Sequence, residues 1–195
     1  MRSTVLLIDG RSGSGKTELA KAIVAGVPGA QLIRLDELYP GWGGLEAGSR
    51  YLHEWILASE APRWQRWDWA TSTRDEWHAV DPDRPLVVEG CGALSHDNRA
   101  LASFGIWVAL DAATRKRRAL ARDGDSYAPH WDEWAAQEDE FLTRENPAAL
   151  ADAVLDGAET MRDLARWRAM LVQPEAAAPR SSPSGGARFR PSGAG

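Results

Sequence analysis

Eight residues near the amino end, Gly10-Arg11-Ser12-Gly13-Ser14-Gly15-Lys16-Thr17, constrain the fold of this chain more than any other stretch. They fit the pattern G-x-x-x-x-G-K-[ST], which carries meaning only in a strand-to-helix turn. Both flanks supply that context. Val5-Leu6-Leu7-Ile8 is a short apolar run of strand formers, and the stretch 18–24 puts Leu19, Ala22 and Ile23 on one helical face. Glycines in such a turn let backbone N–H groups point inward at a phosphate, and the following helix adds its positive end. Lys16 is expected to reach the β- and γ-phosphates of a nucleotide, and Thr17 to offer its hydroxyl to Mg²⁺. Gly10, Ser12, Gly13, Ser14 and Gly15 complete the expected cradle.

Composition narrows the partners. A length of 195 residues suits one domain with a full core. The net charge of −5 gives no support to nucleic-acid binding through a broad basic surface. Cys91 is the one cysteine, so no disulfide forms within the chain, and a reducing cytoplasm is the expected location. No stretch approaches the roughly 20 apolar residues that span a bilayer, so no membrane partner is expected. The sequence does not disclose the oligomeric state. Ten tryptophans are unusual, and six of them (Trp42, Trp55, Trp64, Trp67, Trp69, Trp77) fall in one stretch of the chain. Tryptophan suits both cores and binding pockets.

Beyond the first helix, Gly26-Val27-Pro28-Gly29 is a stop, and Gln31-Leu32-Ile33-Arg34-Leu35 reads as a second strand ending in Asp36-Glu37. A loop follows, and Ser49 is placed as the cap of the next helix. Residues 61–84 read as irregular. Leu86-Val87-Val88-Glu89 is a buried-type strand, Ser95 caps a helix ending near Gly105, and Ile106–Leu110 is another strand. Asp111 opens an arginine-rich helix over about 112–122, with a second helix over about 131–143. Ala153-Val154-Leu155 forms a last strand before a helix ending near 171. Strands alternating with helices predict a five-stranded parallel sheet with helices on both faces, the three-layer α/β architecture in which ligands sit at the carboxyl ends of the strands. Asp36, Glu89 and the glycine turn all follow such ends. Residues 1–172 are expected to form this domain. In residues 173–195, 17 of 23 are Pro, Gly, Ser or Ala, a composition that predicts a disordered tail.

Glycine loops of this kind serve switches, motors and kinases. The chain lacks the N-K-x-D of a GTPase and the L-S-G-G-Q of a transporter ATPase, and it is short for a helicase core. A small kinase remains. The ordered set Gly10–Thr17, Leu35-Asp36-Glu37-Leu38-Tyr39-Pro40, Val87-Val88-Glu89-Gly90 and the arginine-rich helix ending Arg122-Asp123 resembles the uridine kinase group of P-loop kinases, over roughly residues 3–158. The resemblance implies a P-loop NTPase fold, ATP and Mg²⁺, and an arginine-rich helical lid over about 112–143. Where that group carries Asp-His-Pro in its acceptor region, this chain has Arg66-Trp67-Asp68-Trp69, which marks a divergent member.

An acceptor hydroxyl must lose its proton as it attacks the γ-phosphorus, and a carboxylate near the end of strand two can take it. Asp36 is that candidate, and the resemblance implies the same role; a helix cap or loop acid is the plainer alternative. Glu37 is expected to serve structure or a water on Mg²⁺. Glu89 stands where an acid would hold Mg²⁺, through water. Arg115, Arg118 and Arg122 share one helical face. Arg118 and Arg122 are expected to stabilise the migrating phosphoryl group and Arg115 to bind the nucleotide, the alternative being a solvated face paired with Asp123, Asp125 or Glu138. Trp131 and Trp134 are candidates for the lid's packing base. For the acceptor, Tyr39, Trp42, Trp67 and Trp69 are expected to stack on a planar ring, Asp68 to accept hydrogen bonds from sugar hydroxyls and Arg66 to grip an acidic or carbonyl group. Cys91 reads as a small core or pocket residue. The four histidines show no metal spacing.

The expected activity is transfer of the γ-phosphoryl group of ATP to a hydroxyl of a nucleoside or similar small molecule. The alternatives are a kinase for another metabolite or an antibiotic, and a nucleotide-binding regulatory module or ATPase with little kinase activity.

Overall fold

A computed structural model describes residues 3–172. The expectation of a disordered tail lies outside the described residues. Five strands, β1 (Val5–Asp9), β2 (Gln31–Arg34), β5 (Leu86–Glu89), β6 (Phe104–Ala109) and β7 (Ala153–Asp156), form one parallel sheet in the order β2-β5-β1-β6-β7. β1 is central, so the glycine turn that follows it starts from the middle of the sheet's carboxyl edge.

Strand alternation divides the core in two. Leu6 and Ile8 of β1 and Val87 of β5 join a cluster with Leu19 and Ile23 of α1 (Lys16–Ala25) and Trp167, Met170 and Leu171 of α7 (Leu164–Val172). Leu7 and Val88 point the other way. They pack with Leu45 of α2 (Leu45–Tyr51), with Leu52 and Ile56 of the π-helical turn that continues it, and with Trp134 and Phe141 of α5 (Trp131–Glu145). The remaining helices are α3 (His96–Leu101), α4 (Ala112–Asp123) and the short α6 (Pro147–Leu150). No described helix is long and apolar enough to cross a membrane.

Two capping expectations hold. Ser95 accepts from Asn98 N at 3.1 Å at the start of α3, and Asp111 accepts from Thr114 N at 2.8 Å at the start of α4. α3 stops at Leu101, short of Gly105, because Phe104 already belongs to β6. The Ser49 expectation is corrected. α2 begins at Leu45, and Ser49 lies inside it, donating its buried hydroxyl to Gly92 O at 2.7 Å. The irregular reading of 61–84 is also corrected, because β3 (Arg63–Asp68) and β4 (Thr73–Ala79) form an antiparallel hairpin. Its turn hides from composition: Ser72, not glycine or asparagine, takes the left-handed conformation (φ 55°).

Candidate active site

The glycine turn forms because β1 must hand its chain to α1 within a few residues. Gly13 (φ 81°) and Gly15 (φ 105°) supply the left-handed steps. A Cβ on Gly13 would collide with the backbone of Arg115 on α4. Lys16 is buried at the start of α1, with Nζ donating to Arg11 O at 3.2 Å and lying 3.5 Å from the Cys91 sulfur. Burial opposes its charge, and the Cys91 sulfur with Glu89, Asp9 and Glu138 more than offsets that, holding the ammonium above the usual lysine range. A cavity of about 320 Å³ opens over this turn, lined by Gly13, Gly15, Lys16, Thr17, Arg118 and Arg122 among others.

At the tip of β5, Glu89 is 2% exposed and accepts from Thr17 Oγ1 at 2.9 Å and from Arg34 Nε at 3.4 Å. Burial raises its pKa, and the nearby Asp36 charge adds to the rise. Among the described residues no group of three or more His, Cys, Asp and Glu side chains is placed to hold a metal by itself. One hydroxyl beside one carboxylate suits Mg²⁺, which keeps waters and takes phosphate oxygens for most of its shell. Thr17 and Glu89 therefore fit Mg²⁺ carried on a nucleotide.

Asp36 sits in a short 3₁₀ turn, Leu35–Glu37, directly after β2. Its side chain is 47% exposed and accepts from Arg34 Nη2 at 3.2 Å, so Arg34 joins the two strand-tip acids. Trp69 Nε1 donates to Asp36 O at 2.9 Å and ties the hairpin to this turn. The adjoining cleft, about 370 Å³, is walled by Tyr39, Trp42, Trp69, Tyr127 and Trp134, with Ser12, Asp36 and Arg122 at its polar end. Arg122 thus borders both cavities, while its guanidinium pairs with Asp123 through two hydrogen bonds, 2.8 and 2.6 Å.

Several expected site residues have other engagements. Arg115 does not line the cavity over the glycine turn: it is 5% exposed and donates to Leu110 O and Ser12 O, each at 3.2 Å, bracing the loop from behind. Tyr39 is buried with its hydroxyl on Cys91 O at 2.7 Å and its ring edge-on to Trp134, so it is fixed as a wall. Trp42 is already stacked on His130 and Tyr127 and tilted against Trp69. Asp68 closes the hairpin turn, accepting from Ala70 N and Thr71 Oγ1, each at 2.8 Å, and Arg66 pairs with Asp75 and Glu76. Arg66, Trp67 and Asp68 border a separate recess with Glu37 and Asp36 and do not line the aromatic cleft.

The sequence reading missed residues that organise the loop. Asp9, at the last position of β1, is buried and accepts from Gly10 N at 2.6 Å, Leu94 N at 2.8 Å and Gly92 N at 3.1 Å. Burial pushes its carboxyl up to about 6, against the pull of those N–H donors and of Lys16. An acid ending an apolar strand just before Gly10 was the available signal, since such a group requires N–H partners. Glu138, foreseen only as a partner for a helix-α4 arginine, accepts from Arg11 Nε and Ser12 N, each at 2.7 Å, and lies 3.8 Å from Arg115 Nη1.

This architecture, a parallel sheet with helices on both faces and a glycine-rich turn after its central strand, is the three-layer α/β P-loop fold. The structure resembles a possible uridine kinase from Bacillus stearothermophilus at 21% identity, covering 80% of this chain and 90% of that one, with a TM-score of 0.53. It also resembles a sugar kinase from Janibacter sp. HTCC2649, in an unliganded structure, at 16% identity over 87% of this chain and 94% of that one, with a TM-score of 0.52. No protein-family model matches the chain, and no curated protein sequence matches it.

Proposed function

We propose that this protein is an ATP-dependent small-molecule kinase that phosphorylates a hydroxyl group of a nucleoside or a similar small molecule. The observation that carries the reading is the meeting of two cavities at Arg122: Lys16 and Thr17 border one, and Asp36 with an aromatic wall borders the other. The fold shared with the kinases from Bacillus stearothermophilus and Janibacter supports it.

In this reading the triphosphate lies on the N–H groups of the glycine turn, and Lys16 faces the β- and γ-phosphates. Thr17 and Glu89 would hold Mg²⁺, which would neutralise charge on those phosphates. The acceptor lies against the aromatic wall with its hydroxyl at Asp36. Asp36 takes the hydroxyl proton as the acceptor oxygen bonds to the γ-phosphorus. The bond from that phosphorus to the bridging oxygen breaks, and ADP carries the electron pair away. Arg122 faces the charge spread over the migrating group. Arg66, Trp67 and Asp68 receive whatever part of the acceptor extends past Asp36.

The test is a panel of nucleosides, sugars and other hydroxyl-bearing metabolites incubated with the protein and ATP·Mg²⁺. ADP release should rise above background hydrolysis for one chemical class, with a phosphorylated product in the same tubes. Release that no acceptor raises would overturn the kinase reading in favour of a nucleotide-binding module or ATPase.

A further inference from the structure

Ser12 is held at every polar group it has. Its N–H donates to Glu138 Oε1 at 2.7 Å, its C=O accepts from Arg115 Nη1 at 3.2 Å, and its hydroxyl accepts from Tyr127 Oη at 3.0 Å. These three partners come from one stretch of chain, residues 115–139, which runs from α4 through two 3₁₀ turns into the middle of α5; the hydroxyl also lies 3.8 Å from the Cys91 sulfur, outside that stretch. Arg11, one residue earlier, is clamped by the same stretch, with Nε on Glu138 and Nη1 2.6 Å from Asp139. The phosphate loop and this stretch are therefore fastened together at the loop's tip.

The same stretch also builds the acceptor cleft. Tyr127 stacks on Trp42 with ring centroids 5.3 Å apart and planes within 10°. It meets Trp131 edge-on at 5.5 Å. Trp134, which lines the cleft, donates from Nε1 to Glu138 Oε1 at 3.2 Å. One side chain thus touches the wall of one cavity with its ring and the loop of the other with its hydroxyl. Burial pushes the Tyr127 phenol up, so it remains a donor throughout the neutral range.

We propose that Tyr127 is a positioning residue that joins the acceptor cleft to the phosphate loop through Ser12, with Glu138 fixing the loop so that the link is stiff. Filling the cradle is then felt at Trp42, and by reciprocity the factor by which nucleotide changes affinity in the cleft is the factor by which filling the cleft changes nucleotide affinity. The proposal rests on the kinase reading for the nature of the two ligands; the mechanical link rests on the contacts themselves.

The test uses Mg·ADP as the probe and the full chain. Calorimetry measures whether Mg·ADP binds. Tryptophan emission is recorded without nucleotide and at saturation, and the Trp42 contribution is the difference between the unmodified protein and Trp42→Phe. Saturation keeps any change in affinity out of the comparison. The expected result is a Trp42 response to Mg·ADP that is lost in Tyr127→Phe, which keeps the ring and removes only the hydroxyl. Ser12→Ala removes the other end of the bond and should lose the same response, and the double variant should lose no more than either single change. Glu138→Gln, which can still accept from Ser12 N, should keep part of the response and serves if Tyr127→Phe fails to fold. A Trp42 response of equal size in Tyr127→Phe, or losses that add in the double variant, would overturn the link and leave the kinase reading intact. Absence of Mg·ADP binding to the unmodified protein would overturn both.

Discussion

Thr17 donates its hydroxyl to Oε1 of Glu89 across 2.9 Å, joining the first turn of α1 to the tip of β5. The pair brings the only hydroxyl of the Lys16-Thr17 step against a carboxylate that burial keeps dry. If this is where Mg²⁺ is held, Glu89→Gln keeps the hydrogen-bond acceptor and removes the charge. The rate should fall about 10- to 100-fold, as for other groups that support a metal without dominating its shell. The Mg²⁺ concentration giving half the maximal rate should rise. A Glu89→Gln protein with an unchanged Mg²⁺ titration would remove Glu89 from that role.

Asp36 lines the aromatic cleft and pairs with Arg34, which also reaches Glu89. Asp36→Asn preserves size and one acceptor oxygen but cannot take a proton from an attacking hydroxyl. The phosphorylation rate with the acceptor found by the panel should drop about 10²- to 10⁴-fold, while Mg·ADP still binds by calorimetry. Intact turnover in Asp36→Asn would show that the acceptor loses its proton elsewhere.

Much of this site could be read from the sequence because its parts are local. The glycine turn, Asp36 and Glu89 each follow an apolar strand within a residue or two, and parallel strands bring such ends to one edge of the sheet. What escaped was set by contacts distant in sequence. Ser12 meets Glu138 across 126 positions and Tyr127 across 115, and no periodicity records such a pairing. Arg115, Arg118 and Arg122 do share a helical face, yet Arg115 is sealed behind the loop while Arg122 borders both cavities, a difference decided by how α4 packs. The hairpin was missed because little of it is buried. It is held by rings and guanidiniums, with Arg63 over Trp77 within the hairpin and Arg74 over Tyr51 of α2, and such pairs leave no alternation of apolar and polar residues.

Arg118 and Arg122 separate by position. Arg118 donates to Gly157 O at 3.1 Å and borders only the cavity over the glycine turn, whereas Arg122 borders both cavities. Arg122→Ala should lower kcat about 10³-fold or more, the scale of an arginine that faces transition-state charge. Arg118→Ala should act mainly on the KM for ATP. The two variants would be compared in steady-state kinetics with ATP varied. Equal falls in kcat for both would mean that neither residue is singled out by the chemistry.

Asp9 makes stability depend on pH in an unusual direction. Its carboxyl titrates near 6 in the folded protein, raised by burial from an ordinary value of 3.8. Between those values the folded state binds more protons than the unfolded chain, so stability falls as pH rises from about 4 to 6 and is level above. Ionising Asp9 in place costs about 3 kcal/mol by this reckoning, although the carboxylate satisfies the Gly10, Gly92 and Leu94 N–H groups. Asp9→Asn removes the titration and puts an amide NH₂ where an acceptor oxygen stood, leaving at least one buried N–H without a partner, at a cost of about 1–3 kcal/mol. Urea unfolding at a series of pH values from 4 to 8 reads both effects. Relative to the parent, the variant should gain about 3 kcal/mol as pH rises from 4 to 6, because Asp9 titrates only in the parent. A gap that stays constant over that range would mean that Asp9 does not carry the proton.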